Sequence, residues 1–137
     1  MKLIIANLKM YLNTLNDVQR YKKDMYHYKD SFIVAPQSIY LEDFVNSGFV
    51  VSAQNVSDED SGPYTGEISP MSLADMNVEY VMIGHCEIRK KYVDEKKYIF
   101  DKVSKAIDNN LKVILCIGED KDEDVYEVID NELKEFK

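Results

Sequence analysis

Five short apolar runs, each followed by a segment with helical periodicity, constrain this chain more than any other feature. Leu3-Ile4-Ile5-Ala6, Phe32-Ile33-Val34-Ala35, Phe49-Val50-Val51-Ser52-Ala53, Tyr80-Val81-Met82-Ile83-Gly84 and Lys112-Val113-Ile114-Leu115-Cys116-Ile117 read as strands. They are continuously apolar rather than alternating, as strands covered on both faces are. Between them, Asn13 or Thr14 caps a helix carrying Leu15, Val18, Tyr21 and Met25, which runs to about Tyr28. Pro36 stops the second strand, Ser38 caps a short helix with Leu41, Phe44 and Val45, and Gly48 ends it. Ser69 and Pro70 open another helix, with Met71, Leu73, Ala74 and Met76 on its apolar side. A fourth runs from about Asp94 to Asp108, ended by Asn109-Asn110, and a last from Asp122 to Phe136. Strands and helices in strict alternation mean an α/β fold with a parallel sheet and right-handed crossovers. The expectation is a single domain over residues 1–137.

Charge narrows the partners. With 25 acids against 17 bases, the net charge is −8. Nucleic acid and anionic membranes both require clustered positive charge, so neither is expected as a partner. The apolar runs stay far below the roughly 18 residues of a membrane helix, and the expected compartment is the cytoplasm. The two cysteines, Cys86 and Cys116, form no C-x-x-C pair, so reduced thiols are expected, with neither a disulfide nor a metal site.

Polar groups collect where the strands end. His85, Cys86 and Glu87 follow Gly84 without a linker, Asn7 and Lys9 follow the first strand, and Glu119 follows the fifth. The C-terminal ends of parallel strands are where α/β folds place ligands. A lysine there can hold an anionic substrate, and a histidine can polarise a carbonyl. Position alone leaves other readings open: Lys9 as a solvated side chain, His85 as a structural histidine, Glu87 as a partner of Arg89 or Lys90. His27, near the end of the first helix, reads as solvated. Asn55 to Ser69 is a long stretch without periodicity, and such loops are usually functional or interfacial. Its Asp58-Glu59-Asp60 run is expected to be solvated.

Taken together, the strand ends resemble the triosephosphate isomerase family. Ala6-Asn7-Leu8-Lys9-Met10 is similar to the family's Asn-Trp-Lys-Met. Ala53-Gln54-Asn55 with Tyr64-Thr65-Gly66-Glu67-Ile68-Ser69-Pro70 is similar to its Ala-Gln-Asn and Phe-Thr-Gly-Glu-Ile-Ser-Pro. Gly84-His85-Cys86-Glu87-Ile88-Arg89 is similar to Gly-His-Ser-Glu-Arg-Arg, and Cys116-Ile117-Gly118-Glu119 to the end of strand 5. Four motifs in order and spacing cover residues 3 to about 120.

The resemblance implies a TIM (β/α)8 barrel, present here as a partial barrel of about five parallel β/α units. It implies interconversion of dihydroxyacetone phosphate and glyceraldehyde 3-phosphate, in glycolysis and gluconeogenesis, by proton transfer through an enediol without metal or cofactor. Asn7 and Lys9 then contact a small phosphorylated triose, and Lys9 balances the phosphate and the developing enediolate charge. His85 is the electrophile; the family is itself the known case of a neutral imidazole whose pKa is lowered by a helix N-terminus. Glu87 is a polar catalytic neighbour of Lys9. The Thr65 loop implies a homodimer.

The departures are Leu8 for tryptophan, Cys86 for serine and Ile88 for arginine, which leaves Arg89 to form the structural ion pair, with Asp94 or Glu95. A complete barrel has eight units and about 250 residues. The family's general-base glutamate, lid and phosphate-binding amides come after strands 6, 7 and 8, beyond the five units read here, and Glu119 does not match the base. The expectation is therefore little isomerase activity without a completing C-terminal half. The alternative is an inactive half-barrel remnant acting as a structural or interaction module, prone to self-association.

Overall fold

The computed structural model describes residues 3–92, 96–119 and 121–136. Five strands, β1 (Ile5–Asn7), β2 (Ile33–Ala35), β3 (Val50–Ala53), β4 (Tyr80–Ile83) and β5 (Lys112–Leu115), form one sheet in the order of the chain. Every pairing is parallel, with Ala6 beside Val34, Val34 beside Val51, Ala53 beside Val81 and Ile83 beside Leu115. The crossovers carry α1 (Leu15–Met25), α2 (Leu41–Asn46), α3 (Pro70–Asp75), α4 (Cys86–Tyr92) and α5 (Lys96–Asp108), and α6 (Val125–Leu133) follows β5. This is the curled, partial α/β barrel that the strand–helix alternation predicts.

Side chains alternate across the sheet, so each strand serves two faces. Val34, Val51, Ala53, Val81 and Ile83 meet the helices in one core with Val18, Phe44, Leu73, Ile99 and Val103, and Val113 and Leu115 pack at its margin. Phe44 is fully buried and sits edge-on to Phe49 at 5.5 Å. Truncating a buried phenylalanine to alanine costs about 3–5 kcal/mol. The other face of the sheet carries Asn7, Ala35, Ser52 and Met82.

Local chemistry explains the helix starts. Thr14 Oγ1 accepts from the Asp17 amide at 3.2 Å, and Ser69 Oγ accepts from the Ser72 amide at 3.3 Å with Pro70 behind it. Asp124 caps α6 by accepting from the amides of Tyr126 and Glu127. Gly48, at φ 75°, closes α2 by donating to the Val45 carbonyl.

Some boundaries differ from the sequence reading. Ser38 opens a 3-10 turn, Ser38–Tyr40, and caps nothing, because the turn closes on the Gln37 carbonyl instead. Helix α1 ends at Met25 and passes into a 3-10 turn that holds the exposed His27. The strand before His85 stops at Ile83. Gly84 leaves it at φ 76°, where a Cβ would lie 3.0 Å from Arg89 Nη2 and 3.1 Å from the Cys116 carbonyl. Likewise Asn7 is the last residue of β1, and β5 ends at Leu115. Helix α4 was not expected beyond a short turn. The helix expected from Asp94 begins, within the described residues, at Lys96.

Candidate active site

Three strand ends converge. Asn7 ends β1, and its Oδ1 accepts from the Lys9 amide at 2.9 Å, closing a tight polar turn. That turn holds Lys9 at φ 47°, a left-handed conformation that costs a side-chain-bearing residue of order 1–3 kcal/mol. The conformation persists because Gln54, just past β3, clamps it. Gln54 Nε2 donates to the carbonyls of both Lys9 and Ala35, each at 2.9 Å. Asn7 Nδ2 meanwhile approaches Met82 Sδ on β4 at 3.6 Å.

Across the site, Gly84 turns the chain so that His85 stands immediately before α4. Lys9 Nζ lies 2.9 Å from Glu87 Oε1, and His85 Nδ1 lies 3.6 Å from Glu87 Oε2. The Glu87 amide donates to His85 Nδ1 at 3.3 Å. An imidazole nitrogen that accepts from an amide carries no proton, so the hydrogen sits on Nε2 in this tautomer. The hydrogen bond and charge of Glu87 raise the Lys9 pKa above the ordinary lysine value. In return, the Lys9 hydrogen bond and charge hold the Glu87 carboxyl below the usual range. Of the alternatives for Glu87, the one realised is Lys9.

The structure thus brings together all four residues singled out from the sequence: Asn7, Lys9, His85 and Glu87. Glu119 is exposed after β5, outside this group. Among the described residues, no group of three or more His, Cys, Asp or Glu side chains is arranged to hold a metal ion.

Sequence reasoning missed the supports. Arg89 Nε donates to the Gly84 carbonyl and Nη2 to the Cys116 carbonyl, each at 2.6 Å. Its Nη1 pairs with Glu132 on α6, and Glu132 Oε2 accepts from the Gly118 amide at 3.1 Å. Arg89 therefore makes the expected structural ion pair, but with Glu132; Asp94 and Glu95 lie outside the described residues. Lys102, 2% exposed, donates to Asn55 Oδ1 at 3.2 Å and stacks over Tyr98. The long loop is also anchored. Asp60 accepts from Asn109 Nδ2 at 2.8 Å and pairs with Lys105 at 3.1 Å, and these two hydrogen bonds hold its carboxyl below the ordinary value. The expectation that this acidic run is only solvated is corrected at Asp60. Beyond it, Ser61 to Glu67 project into solvent.

Comparison with known proteins accounts for this arrangement. The sequence model of the triosephosphate isomerase family matches residues 2–136. The triosephosphate isomerase of Thermodesulfovibrio yellowstonii is 36% identical over 134 residues, covering 86% of this chain and 51% of that protein. That of Coprinopsis cinerea is 41% identical over 90 residues, covering 64% of this chain and 36% of that protein. That of Natranaerobius thermophilus is 36% identical over 109 residues, covering 74% and 43%. The chain spans about half the length, or less, of these curated relatives. With a match along nearly its whole length and a parallel strand–helix sheet to carry it, the chain belongs to the triosephosphate isomerase family.

Proposed function

We propose that this chain supplies the electrophilic half of a site that interconverts dihydroxyacetone phosphate and glyceraldehyde 3-phosphate. The observation that carries the reading is the Lys9–Glu87–His85 cluster, in which one carboxylate joins a cation at the end of β1 to an imidazole at the end of β4. Lys9 meets the anionic substrate and Asn7 orients the turn that presents it. His85 Nε2–H donates to the substrate carbonyl, so that charge developing on oxygen as the α-proton leaves is met by a fixed donor. Isomerisation by this route moves a proton between adjacent carbons and needs no metal or cofactor.

The reaction also needs a base. Glu87 is poorly suited, because Lys9 holds its carboxylate below the usual range and a weaker base abstracts a carbon-bound proton less well. In this reading the base is a carboxylate outside these residues, on a completing C-terminal half. General acid–base catalysis contributes roughly 10²–10⁴-fold. A polypeptide limited to residues 1–137 should therefore show at most traces of isomerase activity. Activity should rise when a polypeptide bearing the later strands is supplied, and His85→Gln or Lys9→Met should abolish that gain. Normal turnover by residues 1–137 alone, or a gain indifferent to both substitutions, would overturn the reading.

Two companion proposals go with it. Exposed Met10, Tyr11 and Tyr64 lie on the first and third strand-end loops, and we assign them to contact between two copies of the protein. A cytoplasmic location suits glycolytic and gluconeogenic chemistry, and no described helix is long and apolar enough to cross a membrane. A structural half-barrel module is the second reading. It is favoured by the exposure of Leu3, Ile4 and Ile5 at the free edge of the sheet, where unpaired strands invite association. Loss of activity without loss of assembly on His85→Gln fits the isomerase. Assembly as the sole measurable property fits the module.

A further inference from the structure

Helix α5 turns one residue inward that its type would keep outside. Ile99, Lys102, Val103 and Ala106 recur at helical spacing, and all four are buried. Three are apolar. The fourth is a lysine that the isomerase reading does not use. Taking an ammonium out of water is costly unless partners replace the water. Here the partners are directional. Lys102 Nζ donates to Asn55 Oδ1 at 3.2 Å, 47 residues back along the chain, and stands 4.3 Å from the centre of the Tyr98 ring. An ammonium only donates, so it fixes which end of the Asn55 amide faces it.

Asn55 stands where such a grip matters. Strand β3 ends at Ala53, and Gln54 follows it, reaching across to donate to the carbonyls of Lys9 and Ala35. Past the strand, the placement of Gln54 depends on what holds the chain beyond it. The Ser57 amide donates to the Ile68 carbonyl at 2.8 Å, and the Ser69 hydroxyl to the Asp60 carbonyl at 2.6 Å, which tie the loop to itself. Lys102 ties it to a helix of the core, at the residue next to Gln54. The same side of α5 holds the loop again further out. Lys105 pairs with Asp60 at 3.1 Å, and Asn109, just past the helix, donates to it at 2.8 Å.

We infer that Lys102 is a positioning residue for Lys9, acting through Asn55 and the adjoining Gln54. The inference deepens the isomerase reading and rests on it in one respect, that Lys9 is the group that meets the anionic substrate. The chain of contacts is short. Lys102 holds Asn55, one peptide bond joins Asn55 to Gln54, and Gln54 holds the carbonyl of Lys9 in its turn at φ 47°. That turn sets the Lys9 ammonium 2.9 Å from Glu87 Oε1. An apolar side chain in place of Lys102 would fill the core and bury no charge. It could not grip Asn55. Buried on α5, Lys102 acts on the geometry of the site and does not touch the substrate.

The test reads Lys9 itself. The unsubstituted protein and its variants are acetylated with limiting acetic anhydride, and the rate at each lysine is followed by peptide mass. Only the free amine reacts, so a lysine held against a carboxylate is slow. Lys102→Met should speed acetylation of Lys9 about two- to fivefold, as loss of an exposed ion pair would. Lys112, paired with Glu79, and Lys22, buried against Asp43, should keep their parental rates; the first reports exposed pairs in general and the second any opening of the fold. Asn55→Ala should act as Lys102→Met does, while Asn55→Asp, which keeps an acceptor, should leave Lys9 slow. Gln54→Ala should speed Lys9 to the same degree, and adding Lys102→Met to it should change nothing further, since both break one chain of contacts. With a completing half supplied, Lys102→Met should raise KM more than it lowers kcat; absence of isomerisation altogether would strike the isomerase reading and leave the acetylation result standing. Lys9 at its parental rate in both Lys102→Met and Asn55→Ala, a rise that Lys22 shares in both, or additive effects of Gln54→Ala and Lys102→Met would overturn the proposal.

Discussion

Gln54 donates to the carbonyl of Lys9 at 2.9 Å, reaching 45 residues back along the chain to hold a backbone that would otherwise relax. The same amide holds Ala35, so one side chain sets the ends of β1 and β2 together. Gln54→Ala removes the side-chain donor to the Lys9 carbonyl, while Ala35 still accepts from the Leu8 amide at 3.0 Å, and should cost about 1–3 kcal/mol, read from urea midpoints. A variant as stable as the parent would show that Lys9 is held at its positive φ by the Asn7 turn alone. In an active assembly the same substitution should raise KM more than it lowers kcat, because it loosens the placement of Lys9.

The Lys9–Glu87 pair makes a signed prediction about pH. Glu87 has a lowered folded pKa, so its contribution is present above the unfolded value and fades as pH falls through the folded one. Lys9 has a raised folded pKa, so its contribution is full below the unfolded value and fades as pH rises through the folded one. The stability difference between the parent and Glu87→Gln should therefore be flat through the neutral range and shrink at both ends. Both side chains are substantially exposed, at 40% and 58%, so the difference should be small and should weaken with salt. Unfolding midpoints across pH at two ionic strengths check this, and a difference that grows in acid would contradict it.

Arg89 is the least replaceable cation near the site. It serves two carbonyls and the carboxylate of Glu132 at once, a fork that lysine cannot reproduce. Arg89→Lys should destabilise by about 2 kcal/mol and Arg89→Met by about 3 kcal/mol or more, since Glu132 is left with little solvent. Pairing Arg89→Met with Glu132→Gln should cost less than the sum of the single changes, measured as a double-mutant cycle. Strict additivity would mean that the two groups do not depend on each other.

Asp60 anchors the projecting loop through Lys105 and Asn109. Asp60→Ala should speed amide hydrogen exchange between residues 57 and 69 while leaving the sheet protected. If two copies meet through this loop, the same change should weaken their association, which sedimentation would detect. Unchanged exchange would place the anchor at the Ser57–Ile68 and Ser69–Asp60 hydrogen bonds instead.

Sequence and structure agree where the signal is local. The strand–helix alternation was legible because apolar runs and helical periodicity are properties of neighbours, and Thr14, Ser69 and Gly48 cap as short-range rules require. Asn7, Lys9, His85 and Glu87 stood out because each sits at or just past a strand end. What escaped is long-range. Nothing near Arg89 points to Glu132, and nothing near Asp60 points to Lys105. Helix α4, Cys86–Tyr92, was obscured because its run of charged residues shows no apolar stripe. Gln54 was within reach, since a polar amide directly after a buried strand signals a structural hydrogen bond as readily as a catalytic one.

The reach of these contacts orders the assembly of the site. Lys9 finds its carbonyl partner 45 residues later and its charge partner 78 residues later, while the cation behind His85 is balanced 43 residues further on. A ribosome delivers these groups one after another. The turn bearing Lys9 can be set once β3 has emerged, its ammonium is neutralised only with α4, and the clamp on the histidine turn closes last, when α6 has left the exit tunnel. During synthesis the contacts that hold these strand ends become available from the first strand outward.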